Sequence, residues 1–256
     1  MMPLWLTGAF LVTALLYSSV GFGGGSTYTA LLVFSGLQIS LVPLLSLACN
    51  LTVTSTGTWK ASRAGLYNGS GIWPILACSV PAAFLGGLTP IDDGSLILLL
   101  GLSLLVASLQ LAWTSFSPRR TSADTPARRS LWIAPAIGTA IGYLSGLVGI
   151  GGGIFLAPVL HLIAWDSPRK IAAIAPAYIA ANSVAGLAGK MLSLSDPAAY
   201  ATLLSYWPLI PSVLIGSWVG HRFMLGVFPE RLVKGVTAAL ILFVAIRLLI
   251  RTYGGA

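Results

Sequence analysis

The chain has 256 residues, 56% of them hydrophobic and only 8% charged, with a mean hydropathy of +0.90. A soluble domain carries roughly a quarter charged residues, so this composition excludes a water-exposed globule and points to a membrane protein. The formal charge of +8 comes without a basic patch interleaved with exposed aromatics. It therefore reads as Lys and Arg retained on cytoplasmic loops, not as a nucleic-acid surface.

The apolar runs do not alternate with period two, so they predict helices and not a barrel. The first, 4–20, begins inside MMPLWLTGAF, residues 1–10; that start lacks a basic n-region, so the run is expected to be retained. It ends in SSVGFGGGSTYT, residues 18–29, whose glycines break a helix. A short run, 26–36, follows, and then full-length runs near 40–58, 71–88 and 95–114. The polar segment SFSPRRTSADTPARRS, 115–130, separates these from a run at 131–148. That run ends in a second cluster, SGLVGIGGGIFLAP, 145–158, and is followed by another short run, 154–165. Runs near 170–188, 203–220 and 232–250 complete the chain. The two short runs cannot cross a core of ~30 Å at ~1.5 Å per residue. Trp5, Trp59, Trp73, Trp113, Trp132, Trp165 and Trp207 stand near run ends, where interfacial indoles are expected. Cys49 and Cys78 lie inside apolar runs and read as small buried hydrophobes.

Three landmarks recur in the same order. Gly21–Gly25 matches Gly149–Gly153. Asn50 precedes Gly57 by seven residues, as Asn182 precedes Gly189. Pro81 precedes Gly86 by five, as Pro211 precedes Gly216. The expected architecture is an all-α polytopic membrane protein of two homologous halves, 1–114 and 131–256, joined by the basic linker 115–130. Counting each broken segment with the run before it, each half has four runs. If the short runs fold back beside the preceding helix, Lys60, Arg63, Arg119, Arg120, Arg128, Arg129, Arg169, Lys170, Arg222, Arg231 and Lys234 share one side, leaving Lys190, Arg247 and Arg251 on the other. This fits the positive-inside rule better than a single crossing helix at each break. It makes the halves inverted repeats, with the linker cytoplasmic and both termini periplasmic.

A break inside hydrocarbon must lie against protein or a wet cavity. Each one exposes the N-terminus of the following helix, where free N–H groups and the helix dipole favour an anion. The candidate substrate-binding residues are Gly23, Gly24, Gly25, Ser26, Thr27, Asn50, Thr54, Gly151, Gly152, Gly153, Asn182 and Ser183. Asn50 and Asn182 sit deep in their runs, where a polar amide needs partners. Both features also have a bland reading: glycines that permit close helix packing, and amides that glue helices together. The six acidic residues lie in loops or at run ends, against a carboxylate-based cation pump or proton relay. His161 and His221, the only histidines, read as interfacial. No paired carboxylates, Ser-His-Asp set or metal cluster is visible, so no enzyme, metal site or cofactor is expected.

With its paired GFGGG and GIGGG clusters, its paired Asn-x6-Gly segments and a basic linker between two halves, the chain resembles the sulfite exporter TauE/SafE family, also called the four-toluene sulfonate uptake permease family. The likeness covers nearly the whole length. It implies an inner-membrane permease for sulfite, sulfoacetate or related small anions, with the glycine clusters and the two asparagines lining the path. One departure is visible: the second half has NSVAGLAG where the first has the hydroxyl-rich NLTVTSTG. The expected function is a secondary transporter of such anions working by alternating access. A passive small-anion channel and a non-transporting membrane scaffold are the alternatives. The expected partners are the anion, the lipid bilayer and a second copy of the chain.

Overall fold

The computed structural model describes residues 2–20, 23–63, 65, 67, 71–116, 133–163, 165, 166, 168–194, 196–223 and 230–253. Gly21, Phe22, Trp132 and most of the linker lie outside the described residues, as do the side chains of His161 and His221. The described elements are helical. They are α1 (Leu4–Val20), α2 (Gly25–Phe34), α3 (Val42–Arg63, entered through a 3-10 turn at Ile39–Leu41), α4 (Ile72–Leu88), α5 (Asp93–Phe116), α6 (Ile133–Val148), α7 (Gly153–Leu162), α8 (Pro168–Ser193), α9 (Pro197–Ser205), α10 (Leu209–Phe223) and α11 (Glu230–Tyr253).

The two undersized helices, α2 and α7, have 10 residues each and follow the glycine clusters. Two helices, Ile39–Arg63 and Asp93–Trp113, are long and apolar enough to cross a membrane alone. The bent pair α9–α10 supplies a third crossing if it is one span. Other described helices, such as α1, α4 and α6, are apolar but shorter. The single run expected at 203–220 is instead broken: α9 and α10 meet at 43°. Asp196 caps α9 by accepting from Ala198 N at 2.9 Å, with Pro197 at the first helical position, the pattern that starts a helix. Pro208 and Pro211 then oppose continuation of the same helix.

Large apolar side chains cover the outside. Leu109, Phe243, Ile250, Leu204 and Trp218 are all exposed. In water such a surface would be an aggregation hazard; in lipid it is the solvated face. Trp5, Trp59, Trp73, Trp113 and Trp207 are exposed, as interfacial indoles should be. Trp165 is not: it is buried against Leu160 and Ile171. Of the two cysteines only Cys49 is buried; Cys78 faces outward.

Four helix pairs join the two parts of the chain, through small residues. Along α6, Gly138, Gly142 and Gly146 stand against Ile75, Ser79 and Ala83 of α4. The numbers rise together, so the two helices run parallel. A β-carbon on Gly142 would sit 2.5 Å from the Ser79 carbonyl oxygen, which is the close approach that small-xxx-small faces permit. On the other side Gly216 and Gly220 of α10 rest on Leu11 and Leu15 of α1, again parallel. Helix α3 crosses α8 antiparallel. Leu47, early in α3, meets Gly186, late in α8, while Thr58 and Ser62 share a cavity with Ala177 and Ala181. Helix α5 meets α11 with Gly101 against Leu248 and Leu249, the sense expected of an antiparallel pair.

Candidate functional site

The two glycine clusters, 128 residues apart in the chain, meet at the centre of the bundle. Gly24 caps α2 in the left-handed region, at φ 81°. Gly151 and Gly152 precede α7 at φ 81° and 71°. Any other residue would be strained there. Both turns close on themselves. Thr27 N and Tyr28 N donate to Gly24 O; Phe155 N and Leu156 N donate to Gly152 O; Gly153 N turns back to Gly151 O at 3.0 Å.

Asn50 of α3 stands between the clusters. Its Nδ2 donates to Ile150 O at 3.0 Å, joining α3 to the second broken segment. A β-carbon on Gly23 would fall on its Oδ1, and one on Gly25 would fall on both its Nδ2 and Ile150 O. A β-carbon on Gly151 would fall on Asn50 Nδ2 from the other side. The glycines are therefore required by the approach of Asn50 as well as by the turns. The amide orientation is set by its neighbour: reversed, it would put Oδ1 against another carbonyl oxygen. Asn50 Oδ1 itself has no hydrogen-bond partner.

The remaining predicted residues fall into two groups. In the first, Ser26 and Thr27 are buried at the start of α2, where Thr27 Oγ1 pairs with Tyr17 Oη at 2.9 Å. Thr54 lies against Gly23, but its hydroxyl donates to Asn50 O at 2.8 Å. Sequence reasoning missed the brace beside it, in which Thr29 Oγ1 donates to Ser46 Oγ and Ser46 Oγ to Gly25 O.

The second group surrounds Asn182 and Ser183, both 0% exposed. Asn182 Nδ2 donates to Tyr178 O at 2.9 Å, and Tyr178 Oη donates to Gly138 O at 2.7 Å. Tyr178 and Ser145 both border Gly152, so this group touches the second glycine cluster. Oδ1 of Asn182 and the hydroxyls of Ser79, Ser145 and Ser183 are buried without partners. Tyr178, Ser79 and Ser145 carry no motif by which sequence alone would have marked them.

Both clusters are sealed. The twelve predicted residues are buried. A cavity of about 360 Å³ lies to one side, with Thr58, Ser62 and Tyr67 on one wall and Leu76, Ala181 and Val184 on another. It includes none of the twelve, yet Thr58 is one turn beyond Thr54 and Ala181 adjoins Asn182. Tyr67, in the α3–α4 connection, donates to Thr58 O at 3.2 Å, and burial pushes its hydroxyl above the usual tyrosine range. No group of three or more His, Cys, Asp or Glu that could hold a metal occurs among the described residues.

Apolar helices whose interrupted backbone lies against protein and not lipid define a helical membrane protein. The sequence model of the family described as sulfite exporter TauE/SafE matches residues 6–248, and the chain belongs to that family of membrane transporters. Over 218 residues it is 32% identical to "Probable membrane transporter protein y4hK" of Sinorhizobium fredii (strain NBRC 101917 / NGR234), spanning 84% of this chain and 87% of that one. It is 24% identical over 265 residues to "Probable membrane transporter protein MamO" of Paramagnetospirillum magneticum (strain ATCC 700264 / AMB-1), spanning 89% of this chain and 41% of the relative. No solved structure matches.

Proposed function

We propose that the chain is a secondary transporter, not an enzyme, that moves sulfite or a small organosulfonate across the inner membrane by alternating access. One observation carries this reading: two broken segments, remote in sequence, meet around a single buried amide. An interior binding site made by discontinuous helices is a recurring transporter arrangement. The anion would lie where the N-termini of α2 and α7 converge, held by the backbone N–H groups of Gly23–Ser26, Gly151 and Gly152. The conformation described is closed over that place. Opening would separate Asn50 from Ile150 O and free its Nδ2 to donate to the anion. The cavity beside Thr58 and Ala181 would be the approach from the cytoplasmic side.

The inverted relation of the halves belongs to the same reading. If the cytoplasmic side is that of Lys60, Arg63 and the linker, α1, α3, α5 and α10 run inward and α4, α6, α8 and α11 run outward. The parallel pairs α1–α10 and α4–α6 and the antiparallel pairs α3–α8 and α5–α11 all agree with this assignment. Counterpart helices crossing antiparallel are what a two-fold axis in the membrane plane produces. Both termini are then periplasmic.

The test is uptake of radiolabelled sulfite into liposomes holding the purified protein. Trans-stimulated exchange and saturation are expected. Flux that neither saturates nor exchanges would favour a channel. Absence of both flux and binding in a folded protein would overturn the reading.

A further inference from the structure

Both asparagines spend their N–H groups on backbone carbonyls and leave a carbonyl oxygen bare. What is missing at each oxygen is a donor or a cation, not an anion. The halves then differ. Along α3 the hydroxyls are spent: Thr52, Thr54, Ser55, Thr56 and Thr58 all donate back to their own helix, as hydroxyls in apolar helices ordinarily do. Hydroxyls of the second half such as Thr139, Ser193 and Ser212 do the same, but three buried serines do not. Ser145 and Ser183, with Ser79 of α4, leave their oxygens unpartnered at no more than 2% exposure.

These oxygens are drawn together by shared neighbours. Ser145 and Tyr178 both border Gly152; Ser79 lies on Gly142; the Tyr178 hydroxyl gives its proton to Gly138 O and lies beside Ser79 and Asn182, whose oxygens stay unpartnered. The nearest helix ends carry both signs: Gly152 stands at the positive N-terminus of α7, and the C-terminus of α6 faces it with the sign a cation requires. Ser145 lies in the last turn of α6, which ends at Val148, and a helix C-terminus presents carbonyls and the negative end of the dipole. The ligands are neutral oxygens without a carboxylate, so a divalent ion is poorly matched. The surrounding glycine-tight packing suits a small ion.

We propose that Asn182 Oδ1, with the hydroxyls of Ser145 and Ser79, forms a site for a monovalent cation of sodium size that binds together with the transported anion. The proposal rests on the reading of the chain as an anion transporter and assigns its coupling ion. With no carboxylate among these ligands, the co-bound anion supplies the compensating charge. The anion site at the N-termini of the short helices and the cation site at the C-terminal end of α6 would then support each other. Reciprocal linkage requires sodium to tighten sulfite binding by the factor with which sulfite tightens sodium.

The experiment is a thermal-shift and binding titration of the purified protein. Sulfite is supplied as its N-methylglucamine salt, in sodium, potassium or choline chloride of equal concentration. Sodium alone should raise the melting temperature, and sulfite should bind about tenfold more tightly in sodium than in choline. Ser79→Ala and Ser145→Ala should each remove the sodium dependence and keep the weaker, choline-level sulfite binding. If either alanine variant fails to fold, Asn182→Asp keeps the shape and should tighten sodium. Equal sulfite affinity in sodium and choline, with no sodium-induced shift, would overturn the proposal while leaving anion transport standing, and would make this an ordinary hydrated polar cluster. A sodium effect that survives both alanine variants would also overturn it. If sulfite and sulfonates bind in no salt, the anion reading falls, and the sodium shift with its loss in the variants still decides the cation site.

Discussion

Replacing Asn50 by alanine separates a structural role from a functional one, because its stability terms nearly cancel. The variant removes the 3.0 Å bond from Nδ2 to Ile150 O, worth about 0.5–1.5 kcal/mol net. It leaves Ile150 O without that donor, a cost of about 1–3 kcal/mol. It also deletes the unpartnered Oδ1, recovering a penalty of the same size, about 1–3 kcal/mol. The balance is a loss of roughly 1 kcal/mol, a melting shift of a few degrees. Sulfite binding should suffer more. The variant loses a donor to a charged ligand, worth about 1.5–3 kcal/mol, so affinity should fall by at least tenfold. Unfolding followed by intrinsic fluorescence in detergent gives the first number, and equilibrium binding to the folded fraction gives the second. A variant destabilised by several kcal/mol that binds sulfite normally would show that Asn50 is glue, and the assignment of its N–H to the anion would be wrong.

Four further outcomes follow from the packing and the caps. Gly146→Leu drives a side chain into the Ala83 carbonyl and should cost at least the ~1–3 kcal/mol of overpacking; Gly8→Ala, with nothing within 4 Å of its β-carbon, should stabilise by about 0.5–1 kcal/mol, both read by thermal unfolding. Asp196→Ala removes the cap of α9 and should cost about 1 kcal/mol, with faster amide exchange in the first turn of α9. Asp92 accepts from Ser95 N at 2.8 Å, and that backbone bond holds its carboxyl below the usual carboxylate range. The folded value is the lower one, so the cap is fully present above the ordinary aspartate pKa of about 3.9 and is lost as pH falls through the folded value. The protection of the Ser95 amide, corrected for the intrinsic pH dependence of exchange, should hold from neutral pH down to about 3.9 and fall below it; Asp92→Asn should abolish the transition.

The breaks and the short helices were legible because glycine clusters and length are local properties. The boundaries of α2 and α7 follow from them to within a few residues. The run at 203–220 was misread because hydropathy does not register a cap: Asp196-Pro197 starts a helix that hydropathy alone runs into the next. Trp165 and Cys78 were misplaced for a related reason. Composition says that a residue is apolar, not whether lipid or protein will cover it. At the centre, the sequence marks Gly23–Gly25, Gly151–Gly153 and Asn50 but cannot say that Asn50 reaches across to Ile150, a contact over 100 positions. It also invites the wrong ranking of the halves. NLTVTSTG looks the richer in ligands, yet its hydroxyls are consumed by their own helix, whereas Ser183, the one hydroxyl of NSVAGLAG, is left unpartnered.

The same packing constrains how an alternating-access motion can run. Rigid-body rocking of the two sequence halves would have to shear the glycine ladder between α4 and α6 and its equivalent between α1 and α10, each of which joins one half to the other. Those ladders place backbone against backbone with no slack; Gly189 of α8 lies on Phe84 and Leu88 of α4, and Leu45 and Val53 of α3 share a core cluster with Phe10 of α1 and Val213 of α10. On the proposed mechanism α4, α6 and α8 would move as one unit and α1, α10 and α3 as the other, and motion would concentrate along α3–α8, beside the Asn50–Ile150 contact. Cross-linking separates the two schemes. With both native cysteines replaced, Ile75→Cys and Gly138→Cys have β-carbons 3.8 Å apart, within disulfide range, and their oxidation should leave sulfite exchange intact. A short bifunctional thiol reagent joining Leu47→Cys to Gly186→Cys, across α3–α8, should arrest exchange and be reversed by reduction if the link is cleavable. Arrest by the Ile75–Gly138 disulfide in a protein that still binds sulfite would show that α4 slides on α6 during transport, and the mixed rigid units would have to be abandoned.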